Sequence, residues 1–327
     1  MKKIFIMAVS AVLLAAGCQK TEIQNEAKTP IGFGSQMGKL TKAGPDAGYL
    51  GQFDNLNEQG FMVWGYFLAN DDLNFKPGDL YLGNGSTGIK VSASEGKKDD
   101  GTAAAAWTTT ETYYWPGKGK ELDIYAVSMY DADGENTYAK VTPSYENKTI
   151  TVSNFKVNSH ADNDLMVAPL ITQDQDDSQF VEPYFTHALT KVLVNFTTSA
   201  TDVEVYVIGV ETSPLAHTGT LLVDNKISKE DFEDKMAWEL NPETTDSPYV
   251  TYKDEYVGKS VVTGDIIDRP SQDDISAVKL VKGTTVNFAS WLLLPQEDIT
   301  NTYLNIEYII DGMYVSQQFK LAVGDIQ

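Results

Sequence analysis

Apolar and polar residues alternate along much of the chain with a period close to two. In residues 203–208 the valines fall on one face, and in residues 304–310 apolar positions alternate with polar ones. Successive side chains of a strand point to opposite sides, so this period is typical of strands that bury one face and leave the other in water. The pattern therefore predicts half-buried β-strands.

Several other segments have the composition of strands. They are 61–67, 122–129, 149–157, 191–196 and 286–294. The dipeptide Asp311-Gly312 follows one strand directly, and Asp-Gly is the preferred sequence of a two-residue type I′ turn. We therefore predict a hairpin between residues 304–310 and 314–323.

One segment, 228–240, has a pattern that favours a helix. Ser228 could cap it, and Phe232 and Met236 lie at positions i and i+4, on one helical face. Many short strands with a single helix candidate predict an all-β fold made of β-sandwiches.

The first residues have the layout of a secretory signal. Lys2 and Lys3 precede an apolar run, 4–16, that ends in small side chains. The run is too short to span a bilayer, because a membrane helix needs about 20 apolar residues. We therefore predict a signal peptide over residues 1–17.

Cys18 is the only cysteine of the 327 residues. A single thiol cannot form an internal disulfide or a multi-cysteine metal site, so it is a buried side chain, a nucleophile or an anchoring point. Because residues 14–18 resemble a bacterial lipobox, we expect Cys18 to carry diacylglycerol and, after processing, further acyl chains such as palmitate. Several chains anchor a protein stably, whereas one gives only marginal attachment. Residues 19–22 resemble the tag that sends some lipoproteins to the surface of the outer membrane.

The chain is strongly acidic. Its formal net charge is -21 at pH 7 and its sequence pI is about 4.4. Such a charge repels nucleic acids and anionic membrane surfaces, so neither is an expected partner. We interpret the acidity as a means of solubility outside the cell rather than as ion binding.

The common catalytic motifs are absent from the sequence. The three histidines, His160, His187 and His217, have no His-Glu-x-x-His spacing, and there is no Gly-x-Ser-x-Gly sequence. Residues 83–88 fit G-x-G-x-x-G, but a strand follows them where a dinucleotide site needs a helix, so we interpret them as a turn. We expect no catalytic residues and no cofactor.

A calcium site is the remaining metal hypothesis. Asp131, Asp133 and Glu135 supply carboxylates at alternate positions, but the run lacks the length of an EF-hand loop. We expect no metal site there.

Several motifs, taken in order, resemble those of the fimbrillins, the type V pilus subunits of Bacteroidales-type bacteria. They are Ile31-Gly32-Phe33, Leu40-Thr41-Lys42-Ala43, Trp107, Tyr113-Tyr114-Trp115-Pro116, Leu122-Asp123-Ile124-Tyr125-Ala126, Asp164-Leu165-Met166-Val167-Ala168, 185–192 and Leu294-Pro295-Gln296. The resemblance implies two transthyretin-like Greek-key β-sandwich domains in tandem. The acidic stretch 173–183 is the expected boundary between the two domains. The signal peptide is then followed by a lipidated tether with a removable first strand at 18–45, an N-terminal sandwich at 46–178 and a C-terminal sandwich at 179–327.

The resemblance also implies how the protein is assembled. Fimbrillins are exported as lipoproteins to the outer membrane, and a protease that cuts after a basic residue removes their first strand. A strand from a neighbouring subunit then fills the groove, and the head-to-tail contact yields an adhesive pilus. Here the cut would follow Lys39 or Lys42, because the region lacks the usual arginine. An untrimmed subunit tethered through Cys18 is the alternative.

Two further choices stay open. The aromatic residues Trp107, Tyr113 and Trp115 are expected to fill the first sandwich, with a sugar-binding platform as the alternative. His187 is expected to be structural. The sequence stops at Gln327 without the Trp-Gly and Tyr segment usual in fimbrillin donor strands. A role at the pilus tip or anchor therefore competes with one in the stalk, and a chain that ends prematurely is a further alternative. The alternative function is that of a monomeric surface lipoprotein that binds glycan.

Overall fold

A computed structural model describes most of the chain between residues 29 and 321. The described residues are 29–34, 36–37, 60–68, 75–85, 87–97, 103–128, 140–157, 164–226, 232, 236–240, 249–255, 277–296, 299 and 301–321. Every regular element within these ranges is a β-strand, which confirms the all-β prediction. No helix among these residues is long and apolar enough to cross a membrane.

Thirteen strands precede residue 190. They are β1 (Gly32–Phe33), β2 (Gln36–Met37), β3 (Phe61–Phe67), β4 (Leu80–Leu82), β5 (Ile89–Lys97), β6 (Ala103–Thr109), β7 (Leu122–Ser128), β8 (Lys140–Ser144), β9 (Thr149–Lys156), β10 (Met166–Val167), β11 (Ile171–Gln173), β12 (Phe180–Val181) and β13 (Tyr184–His187).

Nine strands follow. They are β14 (Thr190–Phe196), β15 (Val205–Ala216), β16 (Thr218–Asp224), β17 (Met236–Leu240), β18 (Tyr249–Glu255), β19 (Val278–Lys279), β20 (Val286–Leu293), β21 (Tyr303–Ile310) and β22 (Met313–Lys320).

The strands form four sheets. The largest has eleven strands in the order β12-β1-β6-β5-β3-β7-β10-β13-β2, with β11 on β7 and β4 on β3. A four-stranded sheet has the order β17-β16-β9-β8. Towards the C-terminus, a two-stranded sheet, β14-β20, accompanies a five-stranded sheet, β18-β15-β21-β22, with β19 on β15.

The central strand β7 is buried on both faces, which explains its mostly apolar sequence; its two polar residues, Asp123 and Ser128, are buried as well. Leu122, Ile124 and Ala126 belong to one hydrophobic cluster, core A, whereas Tyr125 and Val127 belong to another, core B. Core A comprises Ile31, Phe33, Phe61, Val63, Phe67, Leu82, Ile89, Val91, Trp115, Leu122, Ile124, Ala126, Met166, Ala168, Val181 and Phe185. These residues come from strands at both ends of the large sheet, so that sheet curls around core A.

Core B lies between the large sheet and the four-stranded sheet. Trp64 and Val127 of the large sheet belong to the same cluster as Ile150, Val152 and Leu221 of the smaller one. A third cluster, core C, lies between the two C-terminal sheets and comprises Val210, Leu215, Ala289, Trp291, Leu293 and Ile299.

The predicted hairpin is confirmed. Asp311 and Gly312 have φ angles of 48° and 79°, and Ile310 pairs directly with Met313. Both turn residues therefore have the positive φ that a type I′ turn requires, which fits the Asp-Gly signal.

The predicted helix over 228–240 is wrong for its last five residues. Met236–Leu240 is strand β17, which pairs with β16, while most of 227–235 lies outside the described residues. Met236, Trp238 and Leu240 all pack against core B, so the apolar period here is two. The indole N–H of Trp238 also donates to the carbonyl of Ala188 at 2.8 Å.

The division into two domains between residues 178 and 179 stays a prediction. Strands β12 and β13 follow that point and join the large sheet, while β16 and β17 pair with β9 or with each other. The expected linker, 173–183, contains a turn in which the Asp174 carboxylate accepts bonds from the amides of Asp176 and Asp177. Segments on both sides of residue 178 therefore share sheets.

Candidate functional site

The N-terminal segment 29–34 lies within the large sheet rather than beside it. Strand β1 runs antiparallel to β6, where Phe33 faces Trp107, and parallel to β12, where Phe33 faces Val181. The amide of Gly32 donates to the carbonyl of Gln179 at 2.8 Å, and that of Gly34 donates to Val181 at 2.8 Å. Residues close to the N-terminus thus complete the sheet between two strands that come much later in the chain.

Residues 29–31 extend this pairing along the segment 113–115. The amide of Ile31 donates to the carbonyl of Tyr113 at 2.9 Å, and the amide of Trp115 donates to the carbonyl of Thr29 at 2.8 Å. Pro30 and Tyr114 form the antiparallel bridge between these two bonds. Proline has no N–H to donate, and here the ladder bonds come from its two neighbours.

Side chains of this segment alternate between core A and the outer surface. Ile31 and Phe33 are buried to 7% and 5% exposure within core A. Gly32 and Gly34, at the alternate positions, lie on the outer side, where Phe180 and Glu182 cover them. A Cβ on Gly32 would lie 2.6 Å from Phe180 Cδ1, and one on Gly34 would lie 2.9 Å from Glu182 Cγ. The position therefore takes a strand with large inner and small outer residues.

We call the space occupied by residues 29–34, between β6 and β12, the groove. If the N-terminal segment were absent, the carbonyls of Tyr113, Gln179 and Val181 and the amide of Trp115 would lose the partners just described. Backbone groups buried without partners are costly, and a row of them is a template for another strand. The groove can therefore bind an extended segment by strand addition.

The side chain of Gln173 holds β12, the outer wall of the groove, in position. The Gln173 amide donates from Nε2 to the carbonyls of Ser178 at 2.8 Å and Phe180 at 3.0 Å. Gln173 itself lies in β11, which pairs with the buried strand β7. This contact positions β12 independently of β1.

Aromatic side chains line one end of the groove. The Tyr81 hydroxyl donates to the carbonyl of Tyr114 at 2.6 Å, and burial raises the pKa of Tyr81. Trp115 is buried in core A, and Trp107 and Tyr113 pack against it. The structure thus places these last three aromatic residues in the first core, as the sequence predicted.

Two buried acidic groups have structural partners. Asp164 Oδ2 lies 2.7 Å from His187 Nδ1, which fits the structural role expected of His187. Asp123 forms an ion pair with Lys148 and accepts a bond of 2.6 Å from the Thr172 hydroxyl. These contacts join neighbouring strands and loops and form no open site.

The other residues singled out by the sequence have different outcomes. Cys18, Lys39 and Lys42 lie outside the described residues, so the lipid anchor and the cut stay predictions. Asp131, Asp133 and Glu135 also lie outside them; among the residues described, no group of three or more His, Cys, Asp or Glu could hold a metal ion. In the predicted turn at 83–88, Asn84 pairs with Thr87 in an antiparallel bridge.

The sequence interpretation missed β12 as a wall of the groove. The acidic run before it suggested a linker, whereas the signal for a strand was the apolar pair Phe180-Val181 followed by Tyr184 and Phe185. Val181 and Phe185 both contribute to core A.

Comparison with known proteins agrees with this architecture. The fimbrillin-like family matches residues 80–323. A fimbrial protein from Bacteroides vulgatus ATCC 8482 is similar in structure, with 16% identity over 89% of this chain and 87% of that chain and a TM-score of 0.53. A protein of proposed cell-adhesion function from Bacteroides uniformis ATCC 8492 has 16% identity over 90% and 85% of the two chains and a TM-score of 0.40. No curated protein matches the chain.

The fold is all-β and includes the N-terminal segment in its largest sheet, and the chain belongs to the fimbrillin-like family. The resemblance drawn from the sequence motifs is therefore confirmed. Membership indicates a pilus subunit or adhesin, a structural protein of a cell-surface appendage rather than an enzyme.

Proposed function

We propose that this protein is a pilus subunit that polymerises by strand exchange after proteolytic removal of its N-terminal segment. The observation that supports this most directly is the position of β1 between β6 and β12, with backbone bonds to both sides. A cut after Lys39 or Lys42 would separate both β1 and β2 from the rest of the chain.

The energetics of the groove give the exchange a driving force. Ile31 and Phe33 are almost fully buried, and burying each such side chain is worth about 1.5–3 kcal/mol. A trimmed subunit would expose the apolar sites and unpaired backbone groups at once. A strand with large residues at alternate positions, supplied by another fimbrillin subunit, would restore both kinds of contact.

The asymmetry of this contact would arrange the subunits head to tail. One subunit supplies a strand and the next supplies a groove, so the two surfaces differ. Such a heterologous contact generates a filament when the rotation between subunits does not close into a ring, and we propose a filament here. We propose that the filament serves cell adhesion.

Export completes the proposal. The signal peptide over residues 1–17 would direct secretion, and lipid on Cys18 would attach the precursor to the outer face of the outer membrane. Trimming after Lys39 or Lys42 would release the subunit from that lipid, so Cys18 would serve as a transport anchor. A subunit that is never trimmed would stay on the membrane and could anchor the pilus.

The proposal is tested by treating the purified protein with a trypsin-like protease and separating it by SDS gel electrophoresis without boiling. We expect a ladder of oligomers that a Lys39→Ala, Lys42→Ala double variant abolishes. A Lys140→Ala, Lys282→Ala variant, which removes two exposed lysines elsewhere, should keep the ladder. A single monomer band in the treated wild-type protein, together with retardation in a polysaccharide gel, would contradict strand exchange and favour a monomeric glycan-binding lipoprotein.

A further inference from the structure

The groove has three inner positions, of which the chain's own segment fills two. Inner positions recur at every second residue of a strand, so Thr29 belongs to the same face as Ile31 and Phe33. The opposing segment agrees: Trp115, which bonds to Thr29, is buried, whereas Tyr114, which pairs with Pro30, is exposed.

A cavity of about 690 Å³ lies at the Thr29 end of the groove. We call it the Thr29 cavity; its walls include Thr29, Phe75, Tyr81, Tyr113, Trp115 and Gln175. Five of its eleven lining residues are aromatic, whereas others, such as Thr112 and Lys118, are polar. Phe75 stacks on Phe67 with ring centroids 4.4 Å apart, so this wall is continuous with core A.

Thr29 is poorly matched to this cavity. Its side chain has two heavy atoms beyond Cβ, one of them polar, whereas the neighbouring inner positions carry Ile31 and Phe33 and are buried to 7% and 5% exposure. Thr29 is only half-buried. The chain's own strand therefore leaves apolar surface uncovered at one of its three inner positions.

We propose that the Thr29 cavity is the third side-chain site of the groove, and that it binds a large aromatic or aliphatic residue of the strand supplied by a neighbouring fimbrillin subunit. This inference rests on the strand exchange proposed above. The occupant is a strand because the cavity is continuous with the groove and one of its walls is the N-terminal segment that trimming removes.

The third site favours replacement of the chain's own segment by the incoming strand. The trimmed precursor's own segment and the incoming strand make the same backbone bonds, so the side chains decide between them. An incoming strand that covers the walls of the Thr29 cavity buries apolar surface that Thr29 does not cover. It therefore binds more tightly than the segment it replaces.

The first test uses the full, uncut chain. We expect Thr29→Phe to raise the melting temperature by about 3 °C or more, because it fills the cavity from the chain's own strand. Thr29→Val is the matched control: it keeps the volume, does not fill the cavity and should shift the melting temperature by less than about 1 °C. A Thr29→Phe chain that melts below the Thr29→Val chain would overturn the proposal.

The second test measures strand capture. Protein trimmed after Lys39 or Lys42 is titrated with fluorescent peptides of residues 28–34 that carry either the natural Thr29 or the Thr29→Phe substitution. We expect the substituted peptide to bind about tenfold more tightly, which corresponds to about 1.4 kcal/mol. A peptide with Pro30→Phe, which changes an outer position, should gain nothing. Trimmed Thr29→Phe protein should also form its ladder about tenfold more slowly than wild type, because its own segment competes better.

The outcomes separate the two proposals. Equal affinity of the natural and Thr29→Phe peptides would overturn the third site and leave strand exchange intact. Failure of both peptides to bind the trimmed wild-type protein would overturn strand exchange itself, and the third site with it. Stabilisation of the wild-type chain by lactose or maltose, abolished by Thr29→Phe, would assign the cavity to a sugar and contradict the proposal.

Discussion

The strands nearest the two ends of the described chain, β1 and β22, are held in opposite ways. β1 has two residues; its Phe33 and the preceding Ile31 are buried in core A. β22 has eight residues, all paired with β21 through a tight hairpin, yet most of its side chains are exposed. Burial of side chains secures the first strand, and a long local ladder secures the second.

This difference supports β1 rather than β22 as the strand that is replaced in the proposed assembly. A local hairpin re-forms with its own neighbour quickly, because its loop closes over two residues. β1 pairs with strands much later in the chain. A cut after Lys39 or Lys42 would separate β1 from the rest of the chain, so its segment would lose the advantage of covalent attachment. The loss of β1 then exposes an apolar groove, which another strand can fill.

The largest expected difference in stability is between two phenylalanine substitutions, one in β1 and one in β22. Phe33→Ala should reduce the free energy of unfolding of the uncut chain by about 3–5 kcal/mol, because it empties a buried site. Phe319→Ala removes a ring that is 42% exposed on β22 and should change stability by no more than about 0.5 kcal/mol. Urea unfolding measures both. Equal losses would show that β1 is not held by burial.

A smaller effect is expected at the outer face of β1. Gly32→Val places a branched side chain against Phe180 and should cost about 1–3 kcal/mol by overpacking. The double variant Gly32→Val, Phe180→Ala should recover most of that loss in the same urea experiment. Phe180→Ala alone should cost little, because the ring is already 55% exposed. A double variant no more stable than Gly32→Val would argue against the contact.

The hairpin gives the corresponding test for β22. Gly312→Ala should cost about 1 kcal/mol, because alanine is strained at a φ of 79°. The space around Gly312 is open, so the cost comes from the backbone alone. Gly312→Asn should be milder, since asparagine tolerates positive φ better than alanine. Thermal unfolding that ranks alanine above asparagine would contradict this account of the turn.

The smallest expected effect is the dependence of stability on pH, which is absent near neutrality. Burial raises the pKa of Tyr66 and Tyr125 above the ordinary value of 10.0. Above pH 10 the unfolded chain therefore loses these protons before the folded chain does, and stability falls as pH rises. Between about pH 6 and pH 9 these tyrosines cause no change, because both states keep them protonated. Tyr125→Phe should make the alkaline decline shallower in urea titrations; an unchanged slope would contradict the assignment.

Local patterns predicted fewer than half of the 22 described strands, among them β3, β7, β9 and the β21–β22 hairpin with its turn. The Asp311-Gly312 hairpin could be predicted because its cause lies within two residues. The segment ending in Leu240 was misjudged because Phe232 and Met236 suggested a helical spacing, whereas Met236, Trp238 and Leu240 face core B with a period of two.

Long-range pairing was beyond such patterns. The alternation of Ile31, Gly32 and Phe33 is visible in the sequence, but nothing local places β12 beside them. The acidic residues before Phe180 indicated a linker, because composition does not show that the Gln173 side chain holds the following backbone in place. The family motifs predicted a removable first strand, whereas its neighbours β6 and β12, the walls of the groove, could be identified only from the structure.

The most direct test of strand exchange is the hydrogen exchange of the Trp115 amide, which donates to the carbonyl of Thr29 in the uncut chain. It should be measured in the uncut monomer, in the trimmed monomer and in the trimmed oligomer. The account predicts slow exchange in the first, fast exchange in the second and slow exchange in the third, where a neighbour's strand replaces the lost acceptor. Fast exchange in the oligomer would contradict the replacement of the N-terminal strand by that of another subunit.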